Sequence, residues 1–315
     1  MSTSINVVGA VDIGGTKIAT GLVDESGHVL ARHEIPSGTD FDRAMERIIG
    51  LLSKAVLETR TQLAGIGIGC TGPVDPFTGA VGKNNFFLHW EGCNAVSVLS
   101  KAFGVRVVVE NDADAAVLGE ARRGTGKAKR RLICVTVGTG IGVGIVLDGN
   151  LYRGVDGIHP EPGHHIVEPS GTPCSCGVRG CWEALASGPA ISQWFKQNAP
   201  ERRGAPDLTL EEVCAKARDG DPWCLRAVDR GGFYLGIGIA NLINIFVPDS
   251  IVLGGSVMKS ADLFLDKIRS TIRENCGLVP SDKTFVAIAS LGQDMGLIGA
   301  AEVWRYRIER EGKEV

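Results

Sequence analysis

Cys174, Cys176 and Cys181 fall within eight residues, and His164 and His165 lie just upstream. All sit in the stretch from Glu161 to Glu183, EPGHHIVEPSGTPCSCGVRGCWE. Three thiolates and one neutral imidazole form the Cys3His set that structural zinc holds tetrahedrally, and either histidine can complete it. Gly177 and Gly180 let so short a loop fold back on itself. Three free thiols in a glycine-rich turn is the plainer alternative, but clustering three of the nine cysteines beside a histidine argues against it. A closed zinc site is scaffolding, so the chemistry must belong to what the loop holds in place.

A second set of residues points to phosphate. In Asp12 to Lys17, DIGGTK, Gly14 and Gly15 permit a tight reversal that brings backbone N–H groups close to an anion, and Thr16 and Lys17 add a hydroxyl and a charge. The same turn recurs in Gly138 to Gly144, GTGIGVG, with Thr139 and Gly140. A third consists of Gly254, Gly255 and Ser256, immediately before an expected helix start. Each alone reads equally well as a hairpin. Together they favour a nucleoside triphosphate over a dinucleotide, since no G-x-G-x-x-G opens a helix after the first strand. Phosphoryl transfer also needs an acceptor for the attacking hydroxyl's proton. Asp112, at the junction of a strand and a helix, is the candidate, with an N-cap as its structural alternative. For Asp12 the structural alternative is an Asx turn.

These residues require a scaffold of alternating strands and helices. Val7 to Val29 reads strand, glycine turn, strand, polar turn, and Leu132 to Leu151 repeats the plan about 125 residues later, as a duplicated unit would. Between the copies the pattern predicts a helix over 41–61, a strand over 63–69, a helix near 96–103, a strand over 106–110 and a helix over 112–122. Mainly helices follow the zinc segment, then a strand over 250–253. The last helix, from Leu297 to about Ile308, presents Leu297, Ala300, Ala301, Trp304 and Ile308 at helical spacing and is expected to pack back on the first lobe. The reading is α/β in two lobes: 1–118, joined by 297–315, and 119–296 with the zinc loop.

Composition agrees. A chain of 315 residues can bury a large core and divide in two. A net charge of -3 argues against nucleic acid as a ligand, and the basic run KAKRR, from Lys127 to Arg131, reads as a solvated loop. The absence of a leader and of a long apolar segment predicts a cytoplasmic protein with no membrane partner. Cys70, Cys134, Cys214 and Cys224, in apolar surroundings, read as free buried thiols of a reducing compartment.

DIGGTK, ENDADAAVLGE from Glu110 to Glu120, GTGIGVG, the E-x-G-H of Glu161 to His164, the C-x-C-G-x-x-G-C-x-E of Cys174 to Glu183 and LGGSV at Leu253 together resemble the ROK family of bacterial sugar kinases, repressors and open reading frames. The resemblance runs from about Val7 to Ala301. It implies the two-domain actin-like, ribonuclease-H-like fold with a cleft for ATP and sugar, and phosphorylation of a hexose at its 6-hydroxyl. By the same resemblance Asp112 is the catalytic base, and Asn111, Glu161, His164 and Glu183 hold sugar hydroxyls. His164 also ligates zinc with Cys174, Cys176 and Cys181, leaving His165 to packing. Asp12 sits near magnesium and the γ-phosphate, with Gly14, Gly15, Thr16, Lys17, Thr139, Gly140, Gly254 and Gly255 on the nucleotide.

The family signals for substrate disagree. His159-Pro160-Glu161 resembles the fructokinase branch, whereas the cysteine motif resembles glucokinases and N-acetylhexosamine kinases. Glucose ranks first, with fructose, mannose and N-acetylated sugars behind. Pro162 and the segment Lys83 to Trp90 depart from the family pattern, and Asn84 or Asn85 is a further sugar contact. The family's sugar-sensing regulators carry an added helix-turn-helix domain, for which a first strand starting near Ile5 leaves no room. A homodimer or homotetramer is expected. Finally, Glu161 and Glu183 lie within three residues of a zinc ligand, whereas the phosphate turns are remote in sequence, so zinc is expected to matter for sugar before nucleotide.

Overall fold

The computed structural model describes residues 6–83, 87, 89–199 and 207–312. Its strands are β1 Asn6–Ile13, β2 Lys17–Val23, β3 Val29–Pro36, β4 Gln62–Cys70, β5 Val107–Asn111, β6 Leu132–Val137, β7 Ile141–Leu147, β8 Asn150–Leu151, β9 Ser250–Gly254 and β10 Phe285–Ile288. The helices are α1 Phe41–Thr59, α2 Ala95–Phe103, α3 Asp112–Arg123, α4 Trp182–Ala186, α5 Gly188–Asn198, α6 Leu210–Arg218, α7 Pro222–Phe246, α8 Ala261–Asn275 and α9 Met295–Glu311.

The internal echo is real. One sheet has the order β3-β2-β1-β4-β5 and the other β8-β7-β6-β9-β10, the same plan twice. In the first, β1, β2 and β3 form antiparallel hairpins, while β4 and β5 run parallel to β1. The parallel partners need crossovers, which α1 and α2 supply. In the second sheet β9 runs parallel to β6 and β10 parallel to β9.

The chain divides into one compact unit of residues 1–129, 144–160 and 289–315 and a second of 130–143 and 161–288. A boundary at 118/119 would cut α3. The chain instead changes units in the exposed basic loop, 127–131, and again within β7. Another expectation is corrected after β9: Ser256 leads into a single 3-10 turn, Val257–Ser260, and the helix α8 starts only at Ala261. No helix among the described residues is long and apolar enough to cross a membrane. Cys70, Cys134, Cys214 and Cys224 are buried thiols outside any disulfide.

The first unit shows how sequence period sets packing. Strand β4, QLAGIGIGC, alternates, so Ile66 and Ile68 enter a core with α1, whose Phe41, Met45, Ile48 and Leu52 recur at helical spacing. The Asp40 side chain accepts the Arg43 N–H and starts that helix. Glycines occupy the other face of β4, where α9 lies directly on the backbone. A Cβ at Gly67 would come 1.8 Å from the Ala300 carbonyl oxygen, and one at Gly65 would meet the Trp304 ring at 1.9 Å. Leu297, Ala300 and Ala301 bury there against Val8, Ala10, Ala19 and Val23, so the last helix packs on the first unit as its spacing implies. Glycines also let α3 and α9 touch: a Cβ at Gly299 would sit 2.4 Å from the Ala115 carbonyl oxygen. The fully buried Glu302 of α9 pairs with Arg122 and Arg123 of α3 at 2.7 and 2.6 Å.

Gly67→Ala therefore forces α9 off the sheet. Overpacking against backbone costs roughly 2 kcal/mol or more, so the melting temperature should fall by about 4–8 °C. An unchanged thermal unfolding curve would show that α9 does not need this close approach.

Candidate functional site

In the first unit, β1, β4 and β5 run parallel and end together, with Ile13 opposite Cys70 and Cys70 opposite Asn111. Asp12 and Asp112 thus stand at the carboxyl ends of parallel strands, the usual place for ligands in an open α/β sheet. The cap reading of Asp112 passes to its neighbour: Asn111 is the N-cap of α3 and accepts the Ala113 N–H at 2.8 Å. Asp112 accepts the same N–H through Oδ1 at 2.9 Å, while the Thr71 hydroxyl donates to Oδ2 at 2.8 Å. Burial pushes the Asp112 carboxyl above its usual range, and Thr71, His159 and the Ala113 N–H pull against that. Asp12 is pushed up to about 7, first by burial and then by the neighbouring charge of Asp112. Its Oδ2 abuts the start of α9, where a Cβ at Gly296 would lie 2.1 Å away. Two carboxyls raised by burial, one of them also by the charge of the other, are a fitting donor set for a divalent cation. Two residues beyond Asp112 on α3, the buried Asp114 pairs with His159 Nδ1 at 2.9 Å.

The turn after Asp12 is also a true hairpin, closed by Gly14 N–H to the Lys17 carbonyl at 2.9 Å. Thr16 and Lys17 are exposed, and Lys17 Nζ pairs with Glu34 at 2.7 Å. Asn84 and Asn85 lie outside the described residues.

The zinc loop folds as two small antiparallel pairings in the second unit, Ile166 with Cys181 and Pro173 with Arg179. Gly180, at φ +73°, is required, since a Cβ there would meet the Glu168 carbonyl oxygen at 1.7 Å. This brings together Cys174, Cys176, Cys181 and His164, whose donor atoms all lie within 4.8 Å of one another. Cys176 Sγ to Cys181 Sγ is 3.5 Å, and Cys174 Sγ to His164 Nδ1 is 3.5 Å. A tetrahedron with Zn–S bonds of about 2.3 Å has sulfur atoms about 3.8 Å apart, so the four donors fit one zinc ion. Burial pushes the Cys181 thiol up to about 12, a penalty that a bound dication reverses. His165 turns to packing instead: Nδ1 donates to the Pro162 carbonyl, Nε2 faces the Asn241 amide at 3.1 Å, and the ring lies 5.4 Å from that of Trp182.

One backbone position joins this loop to the glycine turn ahead of β7. Glu183 Oε2 accepts the Ile141 N–H at 3.0 Å, and a Cβ at Gly140 would lie 2.4 Å from that oxygen. On the other side a Cβ at Gly163 would come 2.1 Å from the Ile141 carbonyl oxygen. The glycines of GTGIGVG and E-x-G-H are thus required by close approach. The Gly140 turn, remote in sequence from the cysteine loop, thus touches Glu183.

The second and third glycine turns also converge. Gly255, at φ +89°, packs on Val137, and a cavity of about 300 Å³ is bordered by Gly138, Thr139, Gly188, Ser192, Thr209 and Ser256. The start of α5 closes it, with Gly188 N–H donating to the Gly138 carbonyl at 2.9 Å. Gly254 ends β9 just before this turn. The first turn, Asp12 to Lys17, belongs to the other unit.

Two copies of one five-stranded plan, with carboxylates at strand ends in one unit and glycine turns in the other, define the two-domain actin-like α/β class. The chain belongs to the ROK family, whose sequence pattern it matches over residues 8–307. It is 37% identical to the glucokinase of Streptomyces coelicolor across 94% of this chain and 96% of that protein. Among solved structures, the ROK hexokinase from Thermus thermophilus superposes with a TM-score of 0.85 at 31% identity, covering 96% of this chain and 99% of that one. A ROK family glucokinase from Streptomyces griseus, solved in complex with glucose and AMPPNP, gives 0.83 at 33% identity, covering 95% and 99%.

Sequence reasoning missed Thr71, Gly296, the start of α5 and the Thr209 edge of the nucleotide-sized cavity. Ser187-Gly188-Pro189 carried a signal, a serine cap followed by proline in the first turn of a helix. Thr71 offers a direct test. Its hydroxyl favours ionised Asp112, so Thr71→Val should raise the Asp112 pKa further and move the acid limb of kcat/KM toward higher pH. Turnover at acid pH then falls several-fold, while Thr71→Ser keeps the original profile. An unmoved limb in Thr71→Val would show that the hydrogen bond does not tune Asp112.

Proposed function

We propose that the chain is an ATP-dependent hexose kinase that phosphorylates the 6-hydroxyl, with glucose as its substrate. The observation that carries this is likeness over 95% of the chain to a glucokinase solved with glucose and AMPPNP, combined with a part-buried, hydrogen-bonded Asp112 just past the end of β5. Asp112, raised by burial yet held by Thr71, accepts the proton of the attacking hydroxyl. Asn111, fixed as the helix cap, turns its amide group to a neighbouring hydroxyl of the same sugar.

Glu161, His164 and Glu183 accept or donate hydrogen bonds to the other ring hydroxyls. Glu183 gives Oε2 to Ile141, which leaves Oε1 for the sugar. His164 turns Nδ1 toward Cys174, which leaves Nε2 for a hydroxyl. His164, Cys174, Cys176 and Cys181 would hold zinc, which when bound would close the loop and fix these orientations. The turns at Thr139-Gly140 and Gly254-Gly255 offer backbone N–H groups to nucleotide phosphates, and the turn of Gly14, Gly15, Thr16 and Lys17 has the same capacity. Asp12 would hold magnesium, whose chemistry when bound is neutralisation of phosphoryl charge.

Release of ADP on mixing protein, Mg-ATP and a panel of about ten hexoses tests the assignment, with glucose expected to give the highest kcat/KM. Asp112→Ala should lower glucose turnover by roughly 10²- to 10⁴-fold with the fold intact, the usual worth of a positioned base. Near-normal turnover in that variant would remove Asp112 from the base role.

A further inference from the structure

The first unit contains a cavity of about 470 Å³ that the kinase reading leaves without a task. It is lined by Phe77, Asn150, Arg153, Tyr306, Arg307 and Arg310, from the loop after β4, the start and far side of β8 and the last turns of α9. Three guanidinium groups thus face one space. Among the described residues, the carboxylate that pairs with Arg153 and Arg307 is Glu110, directly for Arg153 and at 3.7 Å for Arg307. Glu110 is 1% exposed and lies beneath the cavity, on β5. Arg310 reaches neutral groups: it donates to the Asn150 side-chain oxygen and, at 3.1 Å, to the Tyr306 hydroxyl. Glu311, also at the rim, pairs with Arg106. Arg307 also donates to the Pro76 carbonyl at 2.8 Å. Each guanidinium brings five N–H donors, so the three together still exceed these acceptors.

The aromatic wall is equally specific. Phe77 is 65% exposed, and the guanidinium carbons of Arg153 and Arg307 lie 5.9 and 5.3 Å from its ring centre. Gly157, at φ +77°, packs so closely that a Cβ would meet the ring at 2.4 Å, so the loop after β8 is shaped to hold Phe77 in place. Securing Glu110 requires one arginine, or two. It does not require a third, nor an aromatic ring held in solvent between two of them. Planar forks converging on an open space match the oxygens of a phosphate group, and an adjoining aromatic face suits the organic part of an ester.

We propose that this cavity binds a phosphate monoester, separately from the glycine turns, with Arg310, Arg307 and Arg153 on the phosphate and Phe77 against the organic group. The zinc-loaded full chain is titrated calorimetrically with inorganic phosphate and with glycerol 3-phosphate, each with and without saturating Mg-AMPPNP. The expected result is one site per chain with an affinity of about 1 mM or tighter for glycerol 3-phosphate, unchanged by AMPPNP. Arg310→Ala should weaken it at least about tenfold, the worth of a lost charge-assisted contact, and Arg310→Lys should weaken it less. Arg310 is exposed, so both variants should keep the wild-type melting temperature. Failure to saturate below about 10 mM, displacement by AMPPNP, or unchanged affinity in Arg310→Ala would each overturn the proposal. None of these outcomes depends on whether the chain phosphorylates glucose, because AMPPNP serves only to mark the nucleotide site.

Discussion

The Ile141 peptide is the joint on which the second unit's site depends. Its N–H is taken by the Glu183 carboxylate over Gly140, and its carbonyl is covered at Gly163. The flanking residues are His164 on one side and Cys181 on the other, two of the four metal donors. Any side chain larger than hydrogen at Gly140 or Gly163 would separate these layers. Hydrogen-bonding groups aimed at a sugar lose value steeply with misplacement, about 100-fold in rate for roughly 1 Å. A zinc ion bridging His164 to the cysteines would hold that geometry at the one point where the loop has no core of its own, since Cys176, Gly177 and Val178 are exposed.

The first unit solves a different problem, keeping two carboxylates close together at the ends of parallel strands. Burial raises both Asp12 and Asp112, and the charge of Asp112 raises Asp12 further. A fold selected for stability alone has no use for such a pair, and perturbed carboxylates at strand ends are a mark of chemistry. The surroundings are built to bear the cost: Thr71 and the Ala113 N–H bond to Asp112, the start of α9 lies against Asp12, and His159 pairs with Asp114 two residues further along α3.

Periodicity made much of the fold legible. GIGIG in β4 and the apolar stripe of α9 announce a strand with one helix-bearing face, and the duplicated strand-glycine-strand pattern gave the shared plan of the sheets. The Cys3His cluster was legible because thiols and imidazoles at that spacing have few other uses. The choice between His164 and His165 was not, because it depends on which imidazole the Gly163 approach turns toward Cys174. The unit boundary was misplaced for a related reason: α3 continues past 118, bound to α9 through Glu302, a partner far away in sequence. Thr71 and Gly296 went unnoticed because each matters only through a contact with an aspartate brought near by sheet register. The helix expected directly after Gly255 is delayed to Ala261, since Gly255 is held at positive φ against Val137 and a 3-10 turn intervenes.

The central claim is that the metal-bound loop and the sugar-binding groups are one mechanical unit. Calorimetric titration of glucose into zinc-loaded protein and into chelator-treated protein, verified as folded and zinc-free, measures this most directly. The account predicts one zinc per chain at the start and a loss of glucose affinity of roughly 10- to 100-fold after its removal, with a smaller change in ADP affinity. Equal glucose affinity in the two preparations would contradict it, and would reduce the Cys3His loop to scaffolding independent of Glu161, His164 and Glu183.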